Sequence, residues 1–291
     1  MWWGLKIVLF IVFSAGSLLK IFRRSPQPSG LSLPSFLRGG KLPSDASTIS
    51  TSGRRDSTRR VPTKNYTGRL VVLVLSDAAH IKQRAAIRDT WGRANAIFVV
   101  GTGSRLEEAD DFLECNQPES YASLPFKLHC GLKWVASSMP SIQWVVKMDD
   151  DMYGRIEALE QYLDEHWSPR DYLVLGDIIE NAAVVRQGLW ADSGYTRSDT
   201  YPPWPKGSAG YVLSRPLVDR LAHRDVVYYQ GEDTSLGIWL QDDTDVRFAS
   251  LPNITTTGRC LEKDWFLVGH KLRPSAIREC YRRDNHLISM D

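Results

Sequence analysis

The sequence predicts an α/β protein with a mainly parallel central sheet flanked by helices, and three observations lead to this fold class. From residue 69 onward, short runs of β-branched and aromatic residues alternate with segments of helical periodicity. Hydrophobic content of 43% and charged content of 24% are those of a globular domain. Residues 23–67, by contrast, are rich in Ser, Pro, Gly, Thr and Arg, which predicts a flexible stem before a folded domain at 68–291.

The elements of that domain are predicted one by one from their apolar patterns. A continuous β-branched run, RLVVLVLS at 69–76, indicates the first buried strand. Further strands are expected at 96–101, 142–148 and 172–176. Helices are expected at 80–92, where Gly92 ends the pattern, at 121–139, where Pro140 follows, and at 155–166. Because ligands of such sheets bind beyond the carboxyl ends of the strands, a site is expected there.

The amino terminus is predicted to be a membrane anchor. The run between Lys6 and Lys20 is almost wholly apolar, and its apolar flanks extend it to the roughly 20 residues that a membrane-spanning helix needs. We expect a short cytoplasmic tail at 1–5 and an uncleaved signal-anchor at 6–22. A cleaved signal peptide is the alternative, although no clear small-x-small cleavage site is present.

Glycosylation sequons and cysteines both favour a lumenal location for the folded domain. Asn65 and Asn253 each begin an Asn-x-Thr sequon. The four cysteines lack metal-type CxxC spacing, so in an oxidising compartment they are expected to form two disulfides, with four buried thiols as the alternative. Local pairing would join Cys115 to Cys130 and Cys260 to Cys280.

Charge and aromatic content bear on the class of partner. The net charge of +2 is nearly neutral, and the chain has no basic stripe interleaved with aromatics, so we expect no nucleic-acid partner. Ten tryptophans is a high number. Because sugar-binding sites use flat aromatic faces, we expect a few of these side chains to line a cleft.

Asp149, Asp150 and Asp151 directly follow the predicted strand 142–148, and three interpretations are open. A solvated acidic loop is the simplest. A calcium loop is the second, because the spacing from Asp149 approaches the EF-hand pattern. Against it, Tyr153 occupies a position where an oxygen ligand is needed, and a strand rather than a helix precedes the loop.

The third interpretation is a site for a metal ion and a diphosphate. Residues two apart on an extended segment point to the same side, so Asp149 and Asp151 could face one divalent ion while Asp150 points elsewhere. Hard carboxylate oxygens suit Mn²⁺ or Mg²⁺, which keep open positions for phosphate oxygens. Such an ion neutralises charge that builds on a leaving nucleoside diphosphate.

Four other motifs accompany this acidic segment, KMDDDMYGRIEAL. They are QRAAIRDTWG (83–92), YPPWPKGSAGYVLS (201–214), YYQGEDTSLGIWL (228–240) and FLVGHKL (266–272). Taken together, in this order over residues 69–272, they resemble the β-1,3-glycosyltransferase family, which includes β-1,3-galactosyltransferases, β-1,3-N-acetylglucosaminyltransferases and fringe enzymes. The segments are most similar to the branch that adds the second galactose of the proteoglycan linkage region.

The resemblance implies a GT-A fold, a UDP-sugar donor and inversion at the anomeric carbon. It also implies that Asp151 is the main metal ligand, that Asp149 assists, and that His270 is a second ligand. Asp233 would be the base that deprotonates the acceptor hydroxyl, with Glu232 as the substitute. The alternative for this acidic pair is purely structural, because acids in the first turn of a helix are favoured by the helix dipole.

Donor binding is expected from Arg84, Arg88, Lys147, Gly210 and the acidic segment, in which Asp149 and Asp150 are included. The two arginines lie four apart on one helix face and could pair with phosphate or with a structural acid. Lys147 could instead neutralise the acidic cluster. At 206–210 the sequence reads KGSAG where relatives have a glycine run, so the donor sugar stays open.

These features predict an inverting, metal-dependent transferase that moves galactose from UDP-galactose in β-1,3 linkage to a glycan acceptor on protein or lipid. Transfer of N-acetylglucosamine or N-acetylgalactosamine is the alternative within enzymes, and a non-catalytic calcium- or sugar-binding lumenal protein is the alternative outside them. Acceptor choice is expected to depend on residues 178–200, which match relatives loosely. We expect a single-pass type II protein of the Golgi membrane.

Overall fold

The computed structural model describes residues 60–102, 106–188, 190–256, 260 and 265–288. The predicted tail (1–5), the predicted anchor (6–22) and most of the predicted stem lie outside these residues. Within the described part of the chain, every helix is too short or too polar to cross a membrane.

Twelve strands and six α-helices form the described chain. The strands are β1 Leu70–Leu75, β2 Ala96–Thr102, β3 Phe112–Pro118, β4 Trp144–Asp149, β5 Tyr153–Gly154, β6 Leu173–Gly176, β7 Ile178–Ile179, β8 Trp204–Pro205, β9 Tyr211–Ser214, β10 Arg247–Ser250, β11 Ile254–Thr255 and β12 Leu267–Val268. The helices are α1 Ile81–Arg88, α2 Leu124–Ser138, α3 Ile156–His166, α4 Arg215–Ala222, α5 Glu232–Leu240 and α6 Pro274–Ile288.

The α/β prediction is confirmed, and the main sheet is mainly parallel. Its seven strands lie in the order β10-β6-β9-β4-β1-β2-β3. Neighbouring strands run parallel except at β9, which is antiparallel to both β4 and β6. Sheets of this kind are buried on both faces, which is why β1 and β4 read as continuous apolar runs. A three-stranded sheet, β11-β12-β5, and the β7-β8 hairpin complete the strands.

Two apolar layers cover the two faces of the main sheet. Because side chains alternate along a strand, Val72 and Val74 of β1 pack into one layer, whereas Leu73 and Leu75 pack into the other. Helices α1, α3 and α6 supply the first layer, and α2, α4 and α5 supply the second. The carboxyl ends of β1, β2 and β4 therefore stand at one edge between the layers, where the acidic segment begins.

The first helix is shorter than the predicted span 80–92. It ends at Arg88, and the chain turns so that the Gly92 amide donates to the carbonyl of Ile87 at 2.9 Å. A Cβ at Gly92 would overlap the Ile87 side chain, so this close turn requires glycine. Trp91 is buried at 5% exposure, and its indole donates to the Met152 carbonyl.

The described residues before the predicted domain boundary at residue 68 contact the folded domain. Backbone amides of Thr63 and Lys64 donate to the carbonyl of Asp110, and the amide of Glu114 donates to the carbonyl of Arg60. The last part of the predicted stem is thus held against the folded domain by main-chain hydrogen bonds, which composition alone does not reveal.

Disulfides join Cys115 to Cys130 and Cys260 to Cys280, which are the local pairs that the sequence favours.

Candidate functional site

The acidic segment lies at the carboxyl edge of the main sheet. Asp149 is the last residue of β4 and pairs in register with Leu75, the last residue of β1. Asp150 and Asp151 form the turn that follows. This is the edge at which ligands bind in parallel sheets.

Asp150 points away from Asp149 and Asp151, as the alternation of an extended chain predicts. Asp150 is buried at 6% exposure and accepts hydrogen bonds from Ser76 Oγ at 2.7 Å and from His80 Nδ1 at 2.9 Å. The hydrogen bond that His80 makes to this carboxylate raises the pKa of His80. Asp150 therefore ties the turn to the end of β1, and its predicted donor-binding role stays a prediction.

Asp149, Asp151 and His270 form a group that we call the candidate metal cluster. Each offers one ligand atom, and these atoms lie within 4.8 Å of one another. Strand β12 brings His270 to this place, because Val268 pairs with Tyr153 just beyond the acidic turn. Each of the three side chains is part-exposed, so a ligand can approach the cluster from solvent.

Two polar atoms of the candidate metal cluster have their hydrogen-bonding capacity unused. Asp151 Oδ1 and His270 Nδ1 are both buried, and neither has a hydrogen-bond partner among the described residues. Such orphaned atoms are rare in folded proteins and call for a partner. Two carboxylates and an imidazole fit a divalent cation such as Mn²⁺ by ligand type. The Lys271 amide donates to Asp151 Oδ2 at 3.0 Å and fixes the carboxylate.

Lys147 connects the candidate metal cluster to the acidic pair at 232–233. Its buried Nζ lies 2.8 Å from Asp149 Oδ1 and 2.5 Å from Glu232 Oε1, and it donates to the Gly207 carbonyl at 3.2 Å. Burial alone lowers the pKa of Lys147, but the charges of Asp149 and Glu232 outweigh it and raise this pKa well above its usual value. The lysine is 1% exposed and neutralises the acids from within the protein.

Glu232 and Asp233 begin helix α5, and their environments differ. Glu232 is buried and held by Lys147. Asp233 is more open and accepts hydrogen bonds from the amides of Gly207 at 2.9 Å and Thr234 at 2.8 Å. Burial, with repulsion from Glu232, raises the pKa of Asp233 to about 6, against the opposing effect of the Gly207 hydrogen bond. A carboxylate with such a pKa suits a general base at neutral pH.

Two glycines near this pair are required by close approach. A Cβ at Gly207 would overlap Glu232 Oε1 and come within 3.0 Å of Asp233 Oδ2. Gly210 has a φ of +76°, which only glycine adopts readily, and a Cβ there would meet Leu267 at 3.0 Å. The space beside Gly210 is thus filled by protein, so the visible role of this predicted donor-binding glycine is to let the chain pack.

Arg84 and Arg88 pair with structural acids in the described chain. Arg84 is fully buried, and its guanidinium donates to both oxygens of Glu107 at 2.8 Å. Arg88 donates to Glu107 and, through two nitrogens, to Asp111. The sequence allowed either a phosphate or a structural acid as the partner of these arginines, and in the described chain they pair with acids. Donor binding by these arginines stays a prediction.

Two exposed aromatic residues that contact each other lie outside every motif of the sequence. Tyr121 and Trp190 are 47% and 52% exposed, and their rings meet edge to face with centroids 4.8 Å apart. Burial raises the pKa of Tyr121, and the negative charges of Glu232 and Asp233 raise it further. The high tryptophan count was the one sequence signal for such a surface, and it does not say which tryptophan is involved.

Comparison with known proteins gives a consistent set of relatives. A family model described as Galactosyltransferase matches residues 82–252. The human N-acetyllactosaminide beta-1,3-N-acetylglucosaminyltransferase 4 is 29% identical over 197 residues, 59% of this chain and 51% of that protein. Mouse Beta-1,3-galactosyltransferase 6 is 29% identical over 235 residues, 72% of this chain and 71% of that protein.

A third relative is similar over a shorter region. Mouse UDP-GalNAc:beta-1,3-N-acetylgalactosaminyltransferase 2 is 35% identical over 133 residues, 45% of this chain and 26% of that protein. The chain thus spans about half the length of the human relative (51%) and about a quarter of the mouse N-acetylgalactosaminyltransferase (26%). The three names share one linkage type and differ in the sugar transferred.

Proposed function

The chain belongs to the galactosyltransferase family, and from this premise we propose that it transfers galactose from UDP-galactose to a glycan acceptor in β-1,3 linkage. The resemblance to β-1,3-glycosyltransferases is confirmed by the family match and by the relatives. The proteoglycan linkage-region branch, the donor sugar and the acceptor belong to the proposal.

One observation carries the proposal: a buried lysine joins the candidate metal cluster to the acidic pair that contains the proposed base. Lys147 contacts Asp149 on one side and Glu232 on the other, and Asp233 follows Glu232 directly. A group that could hold the leaving diphosphate and a group that could activate the acceptor are therefore part of one network. A solvated acidic loop would not need a lysine with 1% exposure at its centre.

The residues of this network divide the chemistry between them. Asp149, Asp151 and His270 would hold the divalent ion, Mn²⁺ or Mg²⁺, which when bound neutralises charge on the departing UDP. Asp233 accepts the proton of the acceptor hydroxyl while that oxygen attacks the anomeric carbon. The new carbon–oxygen bond forms on the face opposite the bond to UDP, which breaks with its electron pair, so the configuration inverts.

The neighbours of Asp233 keep it in place for this step. The Gly207 amide fixes one carboxylate oxygen, and the Thr234 amide fixes the other. Lys147 contacts Glu232 and keeps its carboxyl turned toward the lysine, so Asp233 is the more available of the two acids. These contacts favour Asp233 as the base, with Glu232 as a positioning residue.

Transfer of N-acetylglucosamine or N-acetylgalactosamine is the second candidate. Two of the three relatives reported above carry these activities in their names.

The proposal also includes the fold and the location of the protein. A lumenal domain of the GT-A type would stand on a single-pass type II anchor in the Golgi membrane, and this part rests on the apolar run at 6–22 and on the family.

UDP release tests the proposal and separates its alternatives. The purified full-length chain is incubated with UDP-galactose, UDP-N-acetylglucosamine or UDP-N-acetylgalactosamine, with Mn²⁺, Mg²⁺, Ca²⁺ or EDTA. We expect UDP release from one donor with Mn²⁺ or Mg²⁺ and its loss in EDTA. Binding of Ca²⁺ without release of UDP from any donor would contradict the proposal and favour a non-catalytic module.

A further inference from the structure

The exposed aromatic pair lies on the same sheet edge as the candidate base. Glu119 accepts from the Gly101 amide, at the end of β2, at 2.6 Å. Lys127 donates to the carbonyl of Ser76, the residue after β1, at 2.9 Å. Between these two anchors stands the short 3₁₀ turn Tyr121–Ser123, so the turn is pinned to the carboxyl edge.

Trp190 belongs to a segment that packs against helix α5. Asp192 accepts from the amides of Gly194 and Tyr195, both at 3.1 Å, and from the Tyr201 hydroxyl at 3.3 Å. The buried residues Val184, Tyr195 and Tyr201 pack with Ile238 of α5 as one small cluster. The Trp190 segment is therefore supported by the same helix that begins with Glu232 and Asp233.

The exposure of this pair has no structural explanation within the described chain. Large aromatic side chains are normally buried, whereas Tyr121 and Trp190 are 47% and 52% exposed while their rings contact each other. Tyr121 stands on a turn held at the carboxyl edge of β1 and β2, and Trp190 stands on a segment packed against α5. The pair is therefore carried by the same elements that position the acidic pair.

We infer that Tyr121 and Trp190 form an acceptor platform, on which a pyranose places its apolar C–H face so that a hydroxyl points to Asp233. The inference rests on the proposed function. The indole face supplies apolar contact area, and the Tyr121 hydroxyl can donate to a ring or hydroxyl oxygen of the sugar. Trp190 also lies within residues 178–200, whose loose match to relatives predicts a role in acceptor choice.

Acceptor kinetics test the platform on the full-length chain with the preferred UDP-sugar and Mn²⁺. The acceptors are 4-nitrophenyl β-glycosides of galactose, N-acetylglucosamine, N-acetylgalactosamine and xylose. For Trp190→Ala we expect the acceptor KM to rise about tenfold, the upper range for one aromatic contact, with donor KM unchanged. Trp190→Phe keeps an aromatic face and is expected to stay within about threefold of the parent KM.

Two further variants separate the platform from a structural role. Tyr121→Phe keeps the ring and removes the hydroxyl, so it should raise acceptor KM by about three- to tenfold. Val61→Ala removes apolar area from another exposed side chain, 54% exposed, and should leave both KM values at the parent level. Donor hydrolysis in the absence of acceptor reports whether each variant is folded and loads its donor.

The outcomes distinguish the platform from the proposed function. An unchanged acceptor KM in Trp190→Ala and Tyr121→Phe would overturn the platform while transfer by the parent chain upholds the proposed function. Donor hydrolysis by the parent chain without transfer to any of the four glycosides would also overturn the platform. Absence of both hydrolysis and transfer would overturn the two proposals together.

Discussion

At the residue scale, Glu232 and Asp233 are adjacent in sequence but face different surroundings. Glu232 forms an ion pair with buried Lys147, whereas Asp233 accepts hydrogen bonds from the backbone amides of Gly207 and Thr234. The ion pair ties Glu232 to Lys147, whereas the backbone amides leave Asp233 available to accept a proton. This difference is the reason we propose Asp233 as the base, a choice that adjacency in the sequence could not decide.

Asp233→Asn keeps the side-chain size and removes the proton acceptor. Turnover is expected to fall by about 10²-fold or more, which is the scale of a positioned base, while binding of UDP with Mn²⁺ is retained. Steady-state kinetics and calorimetric UDP titration measure the two quantities. Asp219→Asn, on helix α4, is the matched control and should keep parent turnover. Near-parent turnover in Asp233→Asn would move the base to another residue.

The pH profile follows from the raised pKa of Asp233. A base works only when it is ionised, and this carboxyl is protonated below about 6 instead of below its ordinary 3.8. The value of kcat/KM should therefore fall as pH decreases through about 6. Rates from pH 5 to 8, with circular dichroism to show that the fold persists, measure this. An acid limb near pH 4 would contradict the assignment.

At the element scale, the sequence predicts the central strands better than the edges of the fold. Strands β1 and β4 are buried on both faces, so their continuous apolar runs identify them. Strand β3 (FLECNQP) is an edge strand whose second half is exposed and polar, and its apolar signal is too short to recognise. Helices α4 and α6 were not predicted: α4 starts directly after β9, α6 follows a short loop, and both carry several charged residues.

The glycine turn before β9 is an element whose spacing positions the acidic pair. A methyl group at Gly207 would overlap Glu232 Oε1 and press on Asp233. Gly207→Ala should therefore lower kcat by about tenfold or more, the cost of displacing a catalytic group, while the protein still folds. Gly68→Ala is the matched control, because its new Cβ would meet its nearest atom at an ordinary 3.6 Å. Equal kcat in the two variants would show that this turn does not control the acids.

At the scale of the whole molecule, a buried ion network links α1 to the segment after β2. Arg84 is fully buried and shares Glu107 with Arg88. Burial acts to raise the pKa of Glu107, but its hydrogen bonds to Arg84 and Arg88 outweigh this and lower the pKa to about 2. The unpaired carboxyl titrates near 4.5, so the network stabilises the fold above that pH and loses its contribution as pH falls toward 2.

Glu107→Gln should lower the free energy of unfolding by about 2–3 kcal/mol at pH 7, because the buried arginine loses its charged partner. The difference from the parent should shrink between pH 4.5 and 2, where the parent carboxyl also becomes neutral. Urea unfolding at several pH values measures this. The exposed neighbour Glu108 supplies the control, and Glu108→Gln should unfold like the parent. A pH-independent difference would mean that the loss is steric rather than electrostatic.

The whole site could be predicted only in part, because its members are far apart in sequence. The spacing of Asp149 and Asp151 indicates a shared direction, and their ligand atoms lie within 4.8 Å of each other. His270 and Asp233 were named through family resemblance, since no local pattern shows that β12 and α5 reach this edge. Lys147 was expected to neutralise the acids or bind donor, and its burial between Asp149 and Glu232 depends on packing that the sequence does not display.

The most direct measurement is X-ray diffraction from crystals soaked with Mn²⁺ and UDP, recorded at a wavelength where manganese scatters anomalously. The account predicts an anomalous peak bounded by the carboxylates of Asp149 and Asp151 and the imidazole of His270, with the diphosphate beside it. A manganese peak elsewhere, or bound UDP with no ion at these three side chains, would contradict it.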